Sequence, residues 1–178
     1  IYVSSQATGS ILYFDGQTGA TLPSPQPGGS AGLFAALGTA APAQLAFGPD
    51  GNLYVSEFFG TSVRMYDAHP GANFGQRLAD AAAGLSSSGG LAFASNGDLL
   101  VGDGFAMAPG QTAQIVRVHN GVQSTFGVTN LGGVYAPSAL MTLADDSLLI
   151  VDLVANYVAH YDANGLPLAA FAAIQPPI

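Results

Sequence analysis

The chain has 178 residues, enough for one sizeable core or for several small repeated ones. Three Arg and no Lys stand against 11 Asp and Glu, a formal charge of −8, which argues against nucleic acid and anionic lipid surfaces because both need basic patches. Charged residues make up only 8% and cysteine is absent, so there is no disulfide framework and no thiolate chemistry, and the polar surface must come from Ser, Thr, Asn, Gln and Gly.

The chain opens directly on a β-prone run, IYVSS (Ile1–Ser5), with neither Met nor a leader segment, and so reads as a processed chain or an excised part of a longer one. No apolar stretch is long and unbroken enough to predict a membrane-spanning helix. A second β-prone run follows at Ser10–Asp15 (SILYFD), then a Gly-rich turn and a weak strand at Ala20–Leu22. The connection Leu22–Pro42 is long and rich in Pro and Gly. It carries Leu33, Phe34 and Leu37, expected as an exposed apolar knob that contacts a partner or, alternatively, as the cap of a sheet edge.

Leu45–Glu57 (LAFGPDGNLYVSE) is the clearest element. An Asp-Gly pair between two apolar β-prone runs predicts a hairpin, since Gly accepts the positive φ of a tight turn. The pattern is written again at Leu91–Asp103 (LAFASNGDLLVGD) and at Leu140–Asp152 (LMTLADDSLLIVD), and Ile1–Ser5 matches its second half. Aligning Ile1, Leu53, Leu99 and Leu148 spaces the units by 46 to 52 residues. Each unit adds a third strand (Ser10–Asp15, Ser62–Asp67, Gln114–His119, Tyr157–Asp162) and a weaker fourth (Ala20–Leu22, Gln76–Leu78, Val122–Val128, Leu166–Ala173). Repeats of this length, with four short strands joined by tight turns, predict an all-β propeller of four-stranded antiparallel blades. The units run over about 1–40, 41–86, 87–135 and 136–178 of a single domain. Helical turns are expected at most at Gly32–Ala41 and Arg77–Gly84. The closing residues Gln175-Pro176-Pro177-Ile178 read as the lead-in to a further first strand, so the ring is expected to have about four blades, incomplete or part of a longer propeller.

One carboxylate ends the second strand of three units, at Glu57, Asp103 and Asp152, with Ser5 in the equivalent place of the first. Around a propeller such positions share one level. They therefore predict an acidic rim open to a cation or a cationic partner, unless each acid accepts N–H bonds from its own loop. The loop insertion Phe105–Gln111 stands beside the same rim. Turn residues Asp50 and Asn52, Asn96 and Asp98, and Asp145 and Asp146 are read as hairpin chemistry rather than as a Ca²⁺ loop. Three histidines, His69, His119 and His160, lack metal-ligand spacing. No catalytic residue, metal site or cofactor is predicted.

The pattern P-x-x-LAFGPDGNLYVSE followed by SVRMYDAHPG resembles NHL-type β-propeller repeats, in the versions found in secreted bacterial proteins, including those with PEP-CTERM sorting tails. The resemblance implies a platform that binds proteins or ligands. The expected role is a non-catalytic extracytoplasmic (periplasmic, cell-surface or secreted) binding and assembly module, an accessory subunit of a larger, membrane-attached complex. One alternative is a sugar-lactonase-like enzyme. In that family the resemblance implies a divalent cation on the axis, with an Asn before the G-L-A-F-type strand, where this chain has Gly89-Gly90 and Ala43-Gln44. Another is a self-assembling surface or filament protein.

Overall fold

In the computed structural model, residues 1–105, 113–127, 134–169 and 172–173 are described. They form four antiparallel sheets and no α-helix. Sheet 1 contains β1 (Tyr2–Ser5), β2 (Ser10–Tyr13) and β3 (Leu33–Ala36), and sheet 2 contains β4 (Ala41–Phe47), β5 (Leu53–Phe58), β6 (Ser62–Tyr66) and β7 (Arg77–Ala83). Sheet 3 contains β8 (Ser88–Phe93), β9 (Leu99–Asp103), β10 (Gln114–His119) and β11 (Val122–Thr125). Sheet 4 contains β12 (Pro137–Thr142), β13 (Leu148–Asp152), β14 (Tyr157–Tyr161) and β15 (Ala172–Ala173). Within each sheet the strands pair in chain order, which is the topology of a propeller blade.

The repeated turn fixes each hairpin's register. Gly51 and Gly97 take φ of 76° and 87° at equivalent places. The third copy has Asp146 there at φ 61°, a conformation that Asp tolerates better than most residues. Asp50, Asn96 and Asp145 each accept a hydrogen bond from the backbone N–H two residues on, at 3.0–3.1 Å. These are Asx turns, as the hairpin reading requires.

Strand alternation sends side chains to both faces of every sheet, so each sheet needs a neighbour on each side. Three core clusters meet that need, one at each junction. Ile11, Tyr13 and Phe34 of sheet 1 pack on Leu53, Val55 and Tyr66 of sheet 2. Val63 and Ala82 of sheet 2 pack on Leu91, Leu99, Val101 and Val116 of sheet 3. Leu100, Ile115 and Phe126 pack on Leu140, Leu148, Ile150 and Ala159 of sheet 4. No such cluster joins sheet 4 to sheet 1 among the described residues, so the propeller is open.

Two expectations are corrected. Leu33, Phe34 and Leu37 do not form an exposed knob: Phe34 and Leu37 are buried, and Leu33 and Phe34 lie in β3, the outermost strand of sheet 1. The expected strand at Ala20–Leu22 is reduced to one bridge, Phe14 to Thr21. Pro23 cannot continue that ladder, whereas Phe34 fills the gap between sheets 1 and 2, edge-on to Tyr2, Tyr13 and Phe74. Arg77–Ala83 and Leu33–Ala36, allowed as helical turns, are strands because each pairs with the outer edge of its own sheet. The lead-in expected at Gln175–Ile178 lies outside the described residues.

The inner strands β4, β8 and β12 each break register at the same place, between Pro42 and Leu45, between Ser88 and Leu91, and between Pro137 and Ala139. There β8 and β12 touch backbone to backbone. A Cβ on Gly89 would lie 2.3 Å from the Pro137 carbonyl oxygen, and one on Gly90 would lie 2.6 Å from Ala139 and from the Leu140 nitrogen. Only glycine fits such an approach. Gly90→Ala is therefore expected to cost roughly 1–3 kcal/mol, read by denaturant unfolding, while Gly71→Ala, with open space around it, should be nearly neutral.

Candidate functional site

Ser5, Asp103 and Asp152 end their second strands and Glu57 is the last residue but one of its own, but all three acids are buried. Asp103 accepts hydrogen bonds from the Ser86 and Ser87 N–H groups (2.7 and 3.1 Å), the Ser86 hydroxyl and the Gln114 amide. Asp152 accepts from the N–H groups of Tyr135, Val154 and Ala155. Glu57 forms an ion pair with Arg64 on the adjacent strand. Its own N–H donates to the Ser88 hydroxyl (2.9 Å), which donates back to the Glu57 carbonyl and also to that of Ser62. Ser5 accepts a bond from Thr8 within its own turn. Asp152 thus ties its strand both to its own loop and to the lead-in of the inner strand, Asp103 ties its strand to that lead-in and to the third strand, and Glu57 ties its strand to the third strand. Buried carboxylates are tolerated at Asp103 and Asp152 because N–H and O–H donors surround them, and at Glu57 because Arg64 supplies the opposite charge.

Burial also acts on Glu57. Desolvation pushes its carboxyl above the ordinary value, and Arg64 pulls the other way. At the opposite ends of the hairpins, burial likewise raises Asp98, but bonds from His119 (2.5 Å) and Asn96 outweigh it and hold the carboxyl low. Asp146 reaches across to sheet 3 and accepts from the Ser95 N–H at 2.7 Å and from its hydroxyl, which lowers its carboxyl too. His69 bonds Asp67, and His160 bonds Ser147. Among the described residues, no three His, Asp or Glu side chains gather as metal ligands would.

The centre is occupied by protein. Gln44, turned out of the ladder at the β4 irregularity, accepts through Oε1 from the N–H groups of both Leu91 (3.0 Å) and Leu140 (3.1 Å). Its Nε2 donates to the Leu140 carbonyl at 3.1 Å. The Ser56 hydroxyl satisfies the Gln44 backbone that the irregularity leaves unpaired. One amide therefore links the inner strands of three sheets. Its oxygen is spent on two N–H groups and the neighbouring Gly89 and Gly90 bring no side chain, so among the described residues this junction offers no carboxylate to a divalent cation.

What the rim presents instead is aromatic. Phe58 and Phe59 follow Glu57 at the end of β5, and Phe105 follows Asp103 at the end of β9. The three rings touch edge to face, with centroids 4.7, 5.4 and 5.7 Å apart. Phe59 is 65% exposed and sits at φ 60°, an unusual backbone for a bulky side chain. The doubled Phe at the end of β5 is the sequence signal for this patch, although the element that recurs from unit to unit is the acid before it. Of the Phe105–Gln111 insertion only Phe105 is described.

No protein-family model matches the sequence, and comparison with curated proteins finds no match. Solved structures do match over nearly the whole chain. Regucalcin of Agrobacterium tumefaciens, a calcium-binding protein, is 15% identical with a TM-score of 0.70, covering 97% of this chain and 56% of its own. A nidogen/laminin complex is 16% identical with a TM-score of 0.68 (96% and 60%). A gluconolactonase of Xanthomonas campestris is 16% identical with a TM-score of 0.60 (97% and 60%). The chain has the β-propeller fold and spans about half to two thirds of the length of these chains.

Arg64→Met should destabilise the fold by about 3 kcal/mol at pH 7, because it leaves a buried carboxylate unpaired. A carboxyl whose folded pKa lies above its unfolded value stabilises most at low pH, and that contribution is lost as pH rises through the folded value. The variant's deficit should therefore shrink on going from pH 7 to pH 4, as measured by urea denaturation.

Proposed function

We propose that this propeller is a non-catalytic, protein-binding assembly module that docks through the aromatic patch Phe58–Phe59–Phe105. The observation that carries the reading is the exposed Phe59 ring, held in a costly backbone conformation on a rigid strand end beside two other rings. Exposed aromatics on rigid supports are the residues that most often dominate protein interfaces. Strain at one residue, of the order of 1–3 kcal/mol, persists only where the surroundings enforce it. The buried acids and the filled centre favour this reading over a lactonase-like one, because they remove the groups an axial cation would use. The low charge and the uncharged polar surface support placement outside the cytoplasm, as a subunit of a larger, membrane-attached complex. An NHL-type ancestry fits the same role.

Phe59→Gly relieves the backbone and is expected to leave stability within about 1 kcal/mol of the parent. A photo-reactive phenylalanine analogue at position 59, irradiated in the native source, should capture one polypeptide, and Phe105→Ala should abolish the capture. No cross-link, or a cross-link indifferent to Phe105→Ala, contradicts the reading. Millimolar Ca²⁺ is expected to leave Tm unchanged. A rise of several degrees would favour the metal-dependent alternative.

A further inference from the structure

The aromatic patch straddles the joint between sheets 2 and 3, and one short segment holds both halves of it. Residues 85–88 lead into and begin β8, and every backbone N–H along them is bonded. Leu85 and Ser88 donate to sheet 2, to the carbonyls of Thr61 and Gly60 at 3.0 and 2.8 Å. Ser86 and Ser87 donate to the Asp103 carboxylate, and the Ser87 carbonyl accepts from the Gly104 N–H at 3.0 Å. The segment thus bonds alternately to the turn that carries Phe58 and Phe59 and to the strand end that carries Phe105.

That turn is strained. The Gly60 N–H donates to the Glu57 carbonyl at 2.7 Å, closing a four-residue turn whose third residue is Phe59 at φ 60°. The third place of such a turn favours glycine, and the sequence supplies its glycine one residue late. A bulky residue leaves such a conformation unless its surroundings hold it. The Ser88 hydroxyl, fully buried, is placed to do so. It accepts from the Glu57 N–H at 2.9 Å and has the carbonyls of Glu57 (2.9 Å) and Ser62 (3.0 Å) open to its single proton, so it grips both ends of the loop. The repeat does not require a serine here. Ser88 stands opposite Asp103, and the residues opposite Glu57 and Asp152 are Pro42 and Pro137, which have neither N–H nor hydroxyl.

We propose that Ser88 is the positioning residue of the patch: its hydroxyl fixes the Phe59 turn so that the ring meets Phe105 across the joint before a partner binds. A partner then meets a finished surface and loses less to ordering. The consequence for binding rests on the docking role given to Phe59 above, whereas the positioning itself is measured without a partner.

Solution NMR of the 178-residue chain with labelled phenylalanines tests it. The parent is expected to show ring-to-ring cross-peaks between Phe59 and Phe105 and a Phe59 backbone coupling characteristic of positive φ. Ser88→Ala should lose both. Ser147→Ala, which removes another buried serine hydroxyl, on sheet 4, should keep both. Ser88→Cys keeps the shape of the side chain and weakens its bonds, so it should weaken the cross-peaks in a fold that Ser88→Ala might not reach. With the photo-reactive analogue at position 59, capture should be lost in Ser88→Ala and kept in Ser147→Ala. A parent without the ring cross-peaks overturns the proposal, as do cross-peaks unchanged in the Ser88 variants or capture that survives Ser88→Ala. A parent that captures nothing, yet shows cross-peaks that vanish with the Ser88 hydroxyl, removes the docking role and upholds the positioning.

Discussion

The inner strands of sheets 2, 3 and 4 meet at one amide. Gln44 hydrogen-bonds to two backbone N–H groups and one carbonyl on two other sheets, and Gly89 and Gly90 let the β8 backbone come against β12 close by. Axis-facing backbone groups on an inner strand have no ladder partner, and left buried and unpaired each would cost about 1–3 kcal/mol. A side-chain amide offers both a donor and an acceptor, so it can serve several strands at once. The rest of the architecture hangs from this junction. With the inner edges fixed, the hairpins fan outward, and the apolar side chains between them are sorted into three separate cores rather than one.

That arrangement bears directly on function. Regucalcin-like and gluconolactonase-like propellers share the fold, but fold alone does not carry activity. Here the carboxylates that recur in sheets 2, 3 and 4 are turned inward. Asp103 and Asp152 gather backbone N–H groups, and Glu57 is matched by Arg64. They are joints of the scaffold. Among the described residues, the rim carries an apolar group instead, the touching rings of Phe58, Phe59 and Phe105.

Much of the fold was legible in the sequence. LAFGPDGNLYVSE and its copies announce hairpins because turn chemistry and strand alternation are local, and their spacing announces sheets repeated around a centre. That an acid at a strand end accepts from its own loop was also readable, and Asp152 does so, whereas Asp103 turns to the preceding Ser86 and Ser87 and Glu57 to Arg64. What was not legible depends on distant packing. Leu33–Ala36 joins β2 across a Pro- and Gly-rich connection, and only the gap beside Tyr2 and Tyr13 explains why Phe34 enters the core. Gln44 and the Gly89-Gly90 pair look like punctuation until the strands are set side by side. The contact of Phe59 with Phe105 joins residues 46 positions apart and rests on two different sheets.

The central claim is that one glutamine side chain closes the middle of the molecule. Amide hydrogen exchange at Leu91 and Leu140 reads it most directly, since both N–H groups end on the same Gln44 oxygen. The account predicts that both exchange slowly, with protection near that of global unfolding, and that Gln44→Ala speeds both together while the hairpin amides stay protected. Fast exchange at both sites in the parent chain, or slow exchange unchanged by Gln44→Ala, would contradict it.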